Sequence, residues 1–344
     1  MRVDHDLGFL LKFENVAWYE KGMVKILDRR IYPTRIEFVT CSKHEEVAKA
    51  IADMVTQSAG PYLAAGMGMA LAAFECRNMK KEEAKTFLAK ASYTLSHARP
   101  TTVARMSAIT EKCLTVACKT LDAGGAVDEA IFVHTVAEQE KKYERFVGIG
   151  RTLVSLFPDT GTVLTQCFGE TIVGMMLRAS REMNKDLKVI CMETRPFFQG
   201  ARLTASVACE MGFDVTVITD NMAAYAMKNK MIDVFTSAAD AISCDGYVVN
   251  KVGTYQLALL CKYFGIPYFV TGTPDKKHET ITSVKIEMRD PEAVLEAMGV
   301  RTAMEGVKGW YPAFDTTPPT LVDAIVTDKG AFSPFALKDY FKEG

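Results

Sequence analysis

A chain of 344 residues, 49% of them apolar and 24% charged, has the length for two domains and the apolar content for a substantial core. A formal net charge of −1 excludes a chain-wide basic surface for nucleic acid or an anionic membrane, and no apolar run reaches the roughly 18–20 residues of a membrane span. Residues 1–6 carry charge and lead into a short apolar stretch without a small-residue cleavage pattern, so they do not read as a signal peptide.

The nine cysteines are dispersed, and none forms a Cys-x-x-Cys pair. Buried thiols in a reducing compartment are expected, with the cytoplasm as the location, and neither a disulfide frame nor a zinc site. Residues 8–40 alternate apolar and polar positions around Lys21-Gly22 and Tyr32-Pro33, which predicts a small antiparallel meander. From about residue 43 the period becomes helical. Helices are predicted over 45–56, 61–76, 81–95, 101–121 and 127–157, punctuated by Gly60-Pro61, Arg99-Pro100 and Gly124-Gly125.

Past Pro158 short β-rich runs appear at 162–166, 188–192, 214–218, 234–237, 246–249 and 267–270. Helical patterns over 171–183, 201–211, 222–228 and 255–263 separate several of them. Such alternation implies parallel strands joined by crossovers. The expected architecture is α/β: a Rossmann-like, doubly wound parallel sheet preceded by a small β meander and a helical N-terminal domain. The domains are placed at 1–150 and 151–344, and the stretch around 312–319 is read as an ordered covering loop.

In an open parallel sheet, ligands bind beyond the carboxyl ends of the strands. The residues at or just past the predicted strand ends are Cys167, Glu193, Asp220, Asp240, Asn250 and Thr271, a concentration of reactive and polar groups that marks this edge as functional. Two glycine-rich strings, Gly66-Met67-Gly68 and Gly148-Ile149-Gly150, fall inside helical patterns and not after a strand. They read as close helix packing, not as nucleotide loops. No phosphate loop with its lysine and no His-x-x-x-His pair is present, so no cofactor and no metal are expected.

Four blocks carry a specific likeness. Glu193-Thr194-Arg195-Pro196-Phe197-Phe198-Gln199-Gly200-Ala201-Arg202, Ile218-Thr219-Asp220-Asn221-Met222, Asn250-Lys251-Val252-Gly253-Thr254 and Pro312-Ala313-Phe314-Asp315-Thr316-Thr317-Pro318 resemble the signature segments of the methylthioribose-1-phosphate isomerase family, in the same order. Arg99-Pro100-Thr101 is similar to the family's N-terminal arginine motif. The wider superfamily also holds ribose-1,5-bisphosphate isomerases and the regulatory subunits of the translation-initiation exchange factor.

The resemblance implies isomerisation of a 5-substituted ribose 1-phosphate, S-methyl-5-thioribose 1-phosphate in methionine salvage, to the ribulose 1-phosphate. It also implies a homodimer formed through the second domain. Asp240 matches the family's acid, and its apolar neighbours Ala238, Ala239, Ala241 and Ile242 would raise its pKa. Alone, an aspartate there would read as a helix N-cap. Cys167 matches the catalytic cysteine, and a strand end facing a helix N-terminus would favour its thiolate.

Gln199, Asn250 and Lys251 match substrate contacts, the amides suiting sugar hydroxyls and the ammonium suiting phosphate. Arg99 and the segment Ser58-Ala59 complete the expected substrate set, while Arg195 and Arg202 read as structural partners of nearby carboxylates. Two departures touch phosphate. Gln57-Ser58-Ala59-Gly60-Pro61 lacks the family's arginine, and Glu170 brings a negative charge close to the loop after Cys167. The alternatives are an isomerase of another sugar phosphate, such as 5-deoxyribose 1-phosphate or ribose 1,5-bisphosphate, or a non-catalytic subunit of the translation-factor type.

Overall fold

The computed structural model describes residues 2–99 and 103–342. The chain divides into two compact units, Met1–Glu144 and Arg145–Gly344.

In the first unit, α1 (Phe13–Val16) leads into β1 (Ala17–Glu20), β2 (Met23–Leu27) and β3 (Phe38–Cys41), an antiparallel meander in that order. Lys21 and Gly22 both take positive φ between β1 and β2, the backbone that fits the twist of a two-residue hairpin. Helices α2 (His44–Ala52), α3 (Gly60–Glu75), α4 (Lys81–Ser96) and α5 (Val103–Ala123) follow, and α6 (Val127–Ser155) carries the chain into the second unit. α3 is apolar on every face and buried along most of its length, as a helix enclosed by neighbours must be. A Cβ at Gly66 would lie 2.6 Å from Thr135 and one at Gly68 2.8 Å from Leu95, so this string does serve close helix packing.

The second unit alternates β4 (Thr160–Thr165), α7 (Thr171–Glu182), β5 (Asp186–Met192), α8 (Ala205–Glu210), β6 (Val215–Ile218), α9 (Ala223–Lys228) and β7 (Val234–Ala238). Then come β8 (Ala241–Ile242), β9 (Val248–Lys251), α10 (Thr254–Phe264) and β10 (Tyr268–Thr271), followed by a small hairpin of β11 (Glu296–Ala297) and β12 (Val300–Arg301). β13 (Phe314–Thr317), β14 (Ala324–Thr327) and β15 (Gly330–Phe332) complete the set. Seven strands form the main sheet in the order β15-β14-β10-β7-β4-β5-β6, all parallel except the edge strand β15. Its central strands bury Val163, Leu164, Val234, Phe235 and Val270, the continuous apolar runs of a sheet covered on both faces.

Two expectations need correction. The run at 246–249 belongs not to the parallel sheet but to β9, the middle of a separate antiparallel sheet ordered β13-β9-β8. A short, wholly buried run does not disclose the direction of its partner. The segment around 312–319 is likewise a strand, β13, and not a loop; it is half-buried, polar and flanked by prolines, so neither alternation nor apolar content betrayed it.

Candidate active site at the reversal of strand order

From β4 the chain winds outward to β5 and β6, and from β7 it winds the other way to β10 and β14. Strand order therefore reverses between β4 and β7, and the crevice beyond their carboxyl ends is where an open α/β sheet receives its ligand. Cys167 stands two residues past β4 and Asp240 two residues past β7. A small cleft at the ends of these strands is lined by Thr165, Gln166, Gly169, Ser237, Ala238 and Thr271.

Each backbone is pinned. The Ala239 N–H donates to the Thr271 carbonyl at 3.0 Å, and the next N–H, of Asp240, donates to Val249 at 2.9 Å. Asp240 thus sits where the chain leaves the parallel sheet and joins β9. Cys167 has a φ of +60°, uncommon outside glycine. Its N–H donates to Thr194 Oγ1 at 3.0 Å, and its carbonyl accepts from Thr204 Oγ1 at 2.5 Å. Thr194 is held in turn: its N–H and that of Arg195 donate to the Asp220 carboxylate at 2.9 and 2.7 Å. The loops after β4, β5 and β6 are therefore one hydrogen-bonded unit.

Burial pushes the Cys167 thiol up from its ordinary value; Lys251 opposes the shift, Asp240 reinforces it, and Arg289 opposes it. All three charges act on one sulfur, so the structure does bring Cys167, Asp240 and Lys251 together. The direction corrects the expected thiolate: enclosure outweighs the nearby cation, and Cys167 is held as a thiol. A second correction concerns Asp240, which is exposed and not wrapped by its alanine neighbours. Those small side chains leave the carboxyl group at the surface.

Asn250 and Lys251 lie within β9, both buried. The Lys251 ammonium stands 4.9 Å from the Phe314 ring centre and 6.0 Å from that of Tyr311. Asn250 donates to Thr254 Oγ1 at 3.1 Å. β13 supplies the support, since Phe314 pairs with Lys251 and Asp315 with Asn250. The Asp315 carboxylate accepts from the Gly253 N–H at 2.6 Å and from the Tyr255 N–H at 3.1 Å, capping the turn into α10. Gly253 has a φ of +101°, which a residue with a Cβ resists. Gln199 is buried with its side-chain oxygen unpaired, as is the Thr171 hydroxyl at the start of α7. Unpaired buried polar atoms on this edge suit a site made to receive a polar ligand.

The remaining expected residues are distributed over both units. Ser58, exposed with a φ of +58°, and Ala59 precede α3 in the first unit, and Arg99 belongs to that unit too. Pro100 and Thr101 lie outside the described residues. Gln57 is buried, and its carbonyl accepts from the buried Arg29 at 2.8 Å. Glu170 is buried immediately before α7. The Arg195 guanidinium donates to the carbonyls of Pro196, Val294 and Glu296 and acts on the Glu193 carboxyl group, and that of Arg202 donates to the Phe197 carbonyl. Among the described residues, one group could share a metal ion: His44, Glu45 and Glu75, in the first unit. There Glu75 already accepts from the His44 N–H at 2.8 Å.

Residues 58–334 match the profile of the Initiation factor 2 subunit family. The chain is 35% identical to the methylthioribose-1-phosphate isomerase of Desulforudis audaxviator, over 92% of this chain and 94% of that one. It is 36% identical to that of Thermotoga neapolitana, over 94% and 96%. The chain belongs to the methylthioribose-1-phosphate isomerase family. Two solved structures share the fold. The crystal structure of 5-methylthioribose 1-phosphate isomerase from Pyrococcus horikoshii OT3 superposes with a TM-score of 0.86 at 29% identity, covering 99% of this chain and 98% of that one. The subunit delta of translation initiation factor eIF-2B from A. fulgidus gives 0.80 at 32% identity, covering 93% and 96%. The fold is thus shared by proteins with different names, and the residues at the sheet edge have to separate them.

The sequence reading passed over Arg289 and Tyr311, and named Asp315 only within a matched block. Each lies far along the chain from Cys167, and nothing local ties it to the site.

Proposed function

We propose that this protein is an aldose–ketose isomerase that converts S-methyl-5-thioribose 1-phosphate, or a close 5-substituted relative, to the ribulose 1-phosphate in methionine salvage. The observation that carries the reading is the pairing of Cys167 and Asp240 across the strand-order reversal, with Lys251 acting on the same sulfur. The second unit, around this sheet, is the catalytic domain.

A phosphate on the anomeric oxygen prevents the furanose from opening by itself. One proton must reach the ring oxygen as its bond to C1 breaks, one must leave the C2 hydroxyl, and the C2 hydrogen must move to C1. Asp240 is the acid for the ring oxygen. Its carboxyl group is exposed without substrate, and a seated sugar strips water from it, which favours the protonated form. Cys167 faces C1 and C2 as a neutral thiol. Lys251 balances charge that develops on oxygen, and Gln199 and Asn250 fix the hydroxyls. Arg99 and the Ser58-Ala59 segment contribute to phosphate binding in this reading. A homodimer through the second unit and residence in the cytoplasm belong to the same proposal.

The test is ketose formation from methylthioribose 1-phosphate by the wild type, Cys167→Ser and Asp240→Asn. Turnover by the wild type with about a 10²–10⁴-fold loss in each variant is the expected result. An inert wild type that binds other sugar 1-phosphates moves the substrate to those. Inertness without sugar-phosphate binding removes the enzyme and leaves the assembly subunit; retention of both Cys167 and Asp240 favours the enzyme.

A further inference from the structure

Three side chains beside the catalytic pair have no assigned task. Arg289 is largely enclosed, with 17% of its side chain exposed. Its guanidinium gives Nε and one terminal nitrogen to the Glu287 carboxylate at 3.0 and 3.2 Å, leaving the other terminal nitrogen to a further acceptor. The Phe314 ring links it to the site: its centre lies 5.4 Å from the Arg289 guanidinium carbon and 4.9 Å from the Lys251 ammonium. Both cations also act on the Cys167 thiol.

Tyr311 is 2% exposed, and its hydroxyl makes no hydrogen bond of proper geometry although it borders the Arg289 guanidinium. The phenol proton is a donor without an acceptor, and buried groups of that kind are rare. The ion pair with Glu287 is not needed to hold this segment. The Arg289 N–H already donates to the Tyr311 carbonyl at 3.0 Å, and the Ala313 N–H donates to Glu287 at 2.9 Å. Glu287, Asp240 and Asp315 balance the charge of the two cations here, so geometry and not net charge is what favours an anion: a planar guanidinium beside a hydroxyl donor suits a tetrahedral oxyanion better than a neutral sugar hydroxyl.

We propose that Arg289 and Tyr311, together with Lys251, form the anion-binding corner of this site and receive the phosphate of the sugar phosphate. The inference rests on the isomerase reading for the identity of the ligand, and on the geometry alone for the anion site. It gives the second unit its own grip on phosphate, in addition to the part proposed for Arg99 and the Ser58-Ala59 segment.

The test uses the full chain. Inorganic phosphate binding is measured by calorimetry, and kcat and KM are measured with methylthioribose 1-phosphate, for the wild type, Arg289→Ala, Arg289→Lys, Tyr311→Phe and Glu287→Gln. Arg289→Ala should weaken phosphate binding and raise KM by about 10- to 100-fold, with the smaller effect on kcat. Tyr311→Phe should do the same by about 3- to 10-fold, and Arg289→Lys should restore part of the loss. Glu287→Gln is the discriminating variant: it breaks the ion pair but keeps the guanidinium, so binding should hold or tighten. If Glu287→Gln and Arg289→Ala lose binding together, the pair is structural and the proposal falls. It falls equally if Tyr311→Phe and Arg289→Lys, which preserve shape, leave phosphate binding unchanged. Turnover with an unchanged KM in Arg289→Ala overturns the corner and leaves the isomerase standing. An inert wild type whose phosphate binding depends on Arg289 does the reverse.

Discussion

Burial raises the Asp315 carboxyl to a pKa of about 6, although two backbone N–H groups and Lys251 pull it down. The folded chain therefore holds this proton more tightly than the unfolded chain. Its contribution to stability is fully present below the ordinary value of 3.8 and is lost as pH rises through about 6. Relative to Asp315→Asn, the wild type should lose on the order of 2–3 kcal/mol between pH 4 and pH 7. Urea midpoints of both proteins across that window measure it, and parallel curves would show that the group does not titrate there. Cys167 offers a second check at this scale. Its thiol is pushed up by burial, whereas Cys209 is exposed. At pH 7.5 iodoacetamide should label Cys209 well before Cys167 by mass spectrometry, and Lys251→Met should slow Cys167 further by removing the charge that favours its thiolate.

Elements meet at this site through short polar side chains. Thr194 joins the loop after β5 to the loop after β4 by taking the Cys167 N–H. Thr194→Val keeps the shape and removes the acceptor, at a cost of about 1–3 kcal/mol if the N–H stays buried and unpaired. Because the displaced group is Cys167, kcat should fall by about tenfold or more while KM moves little, which steady-state kinetics will read directly. In the first unit, Gly66→Ala puts a methyl 2.6 Å from Thr135 and should lower the unfolding midpoint, an overpacking worth about 1–3 kcal/mol. The helices here were readable because a three- and four-residue apolar step survives along α4 and α5, and the strands β4, β5 and β10 because they are apolar and bounded by turns. β14 and β15 were not found, since Ala324–Thr327 and Gly330–Phe332 are three or four residues long and acquire strand geometry only by pairing.

Across the whole molecule, the sequence pointed to the carboxyl edge of the sheet because each predicted strand end is followed by a polar or reactive residue. It could name Cys167, Asp240 and Lys251 because they fall in or beside those endings. It could not reach Arg289 or Tyr311, whose part in the site depends on where β13 lies, nor foresee that Asp240 would be exposed and the Cys167 thiol raised, since enclosure is a property of folded neighbours. The same logic predicts where the molecule is most resistant to opening. Amide hydrogens of β4, β7 and β10, central in the main sheet and packed in its core, should exchange most slowly, and those of the β11–β12 hairpin, whose Met298 and Val300 are exposed, among the fastest.

The clasp between Asp315 and Gly253 joins residues 62 apart in the chain. Closing so long a loop is entropically slow to start and is rewarded only once β13 has docked beside β9. Asn250 and Lys251 should thus be set in place late, after the helices that flank them have formed from local contacts. On refolding from denaturant, catalytic competence should trail the recovery of the far-ultraviolet dichroism, and the interval between the two is the time the protein takes to find its own last strand.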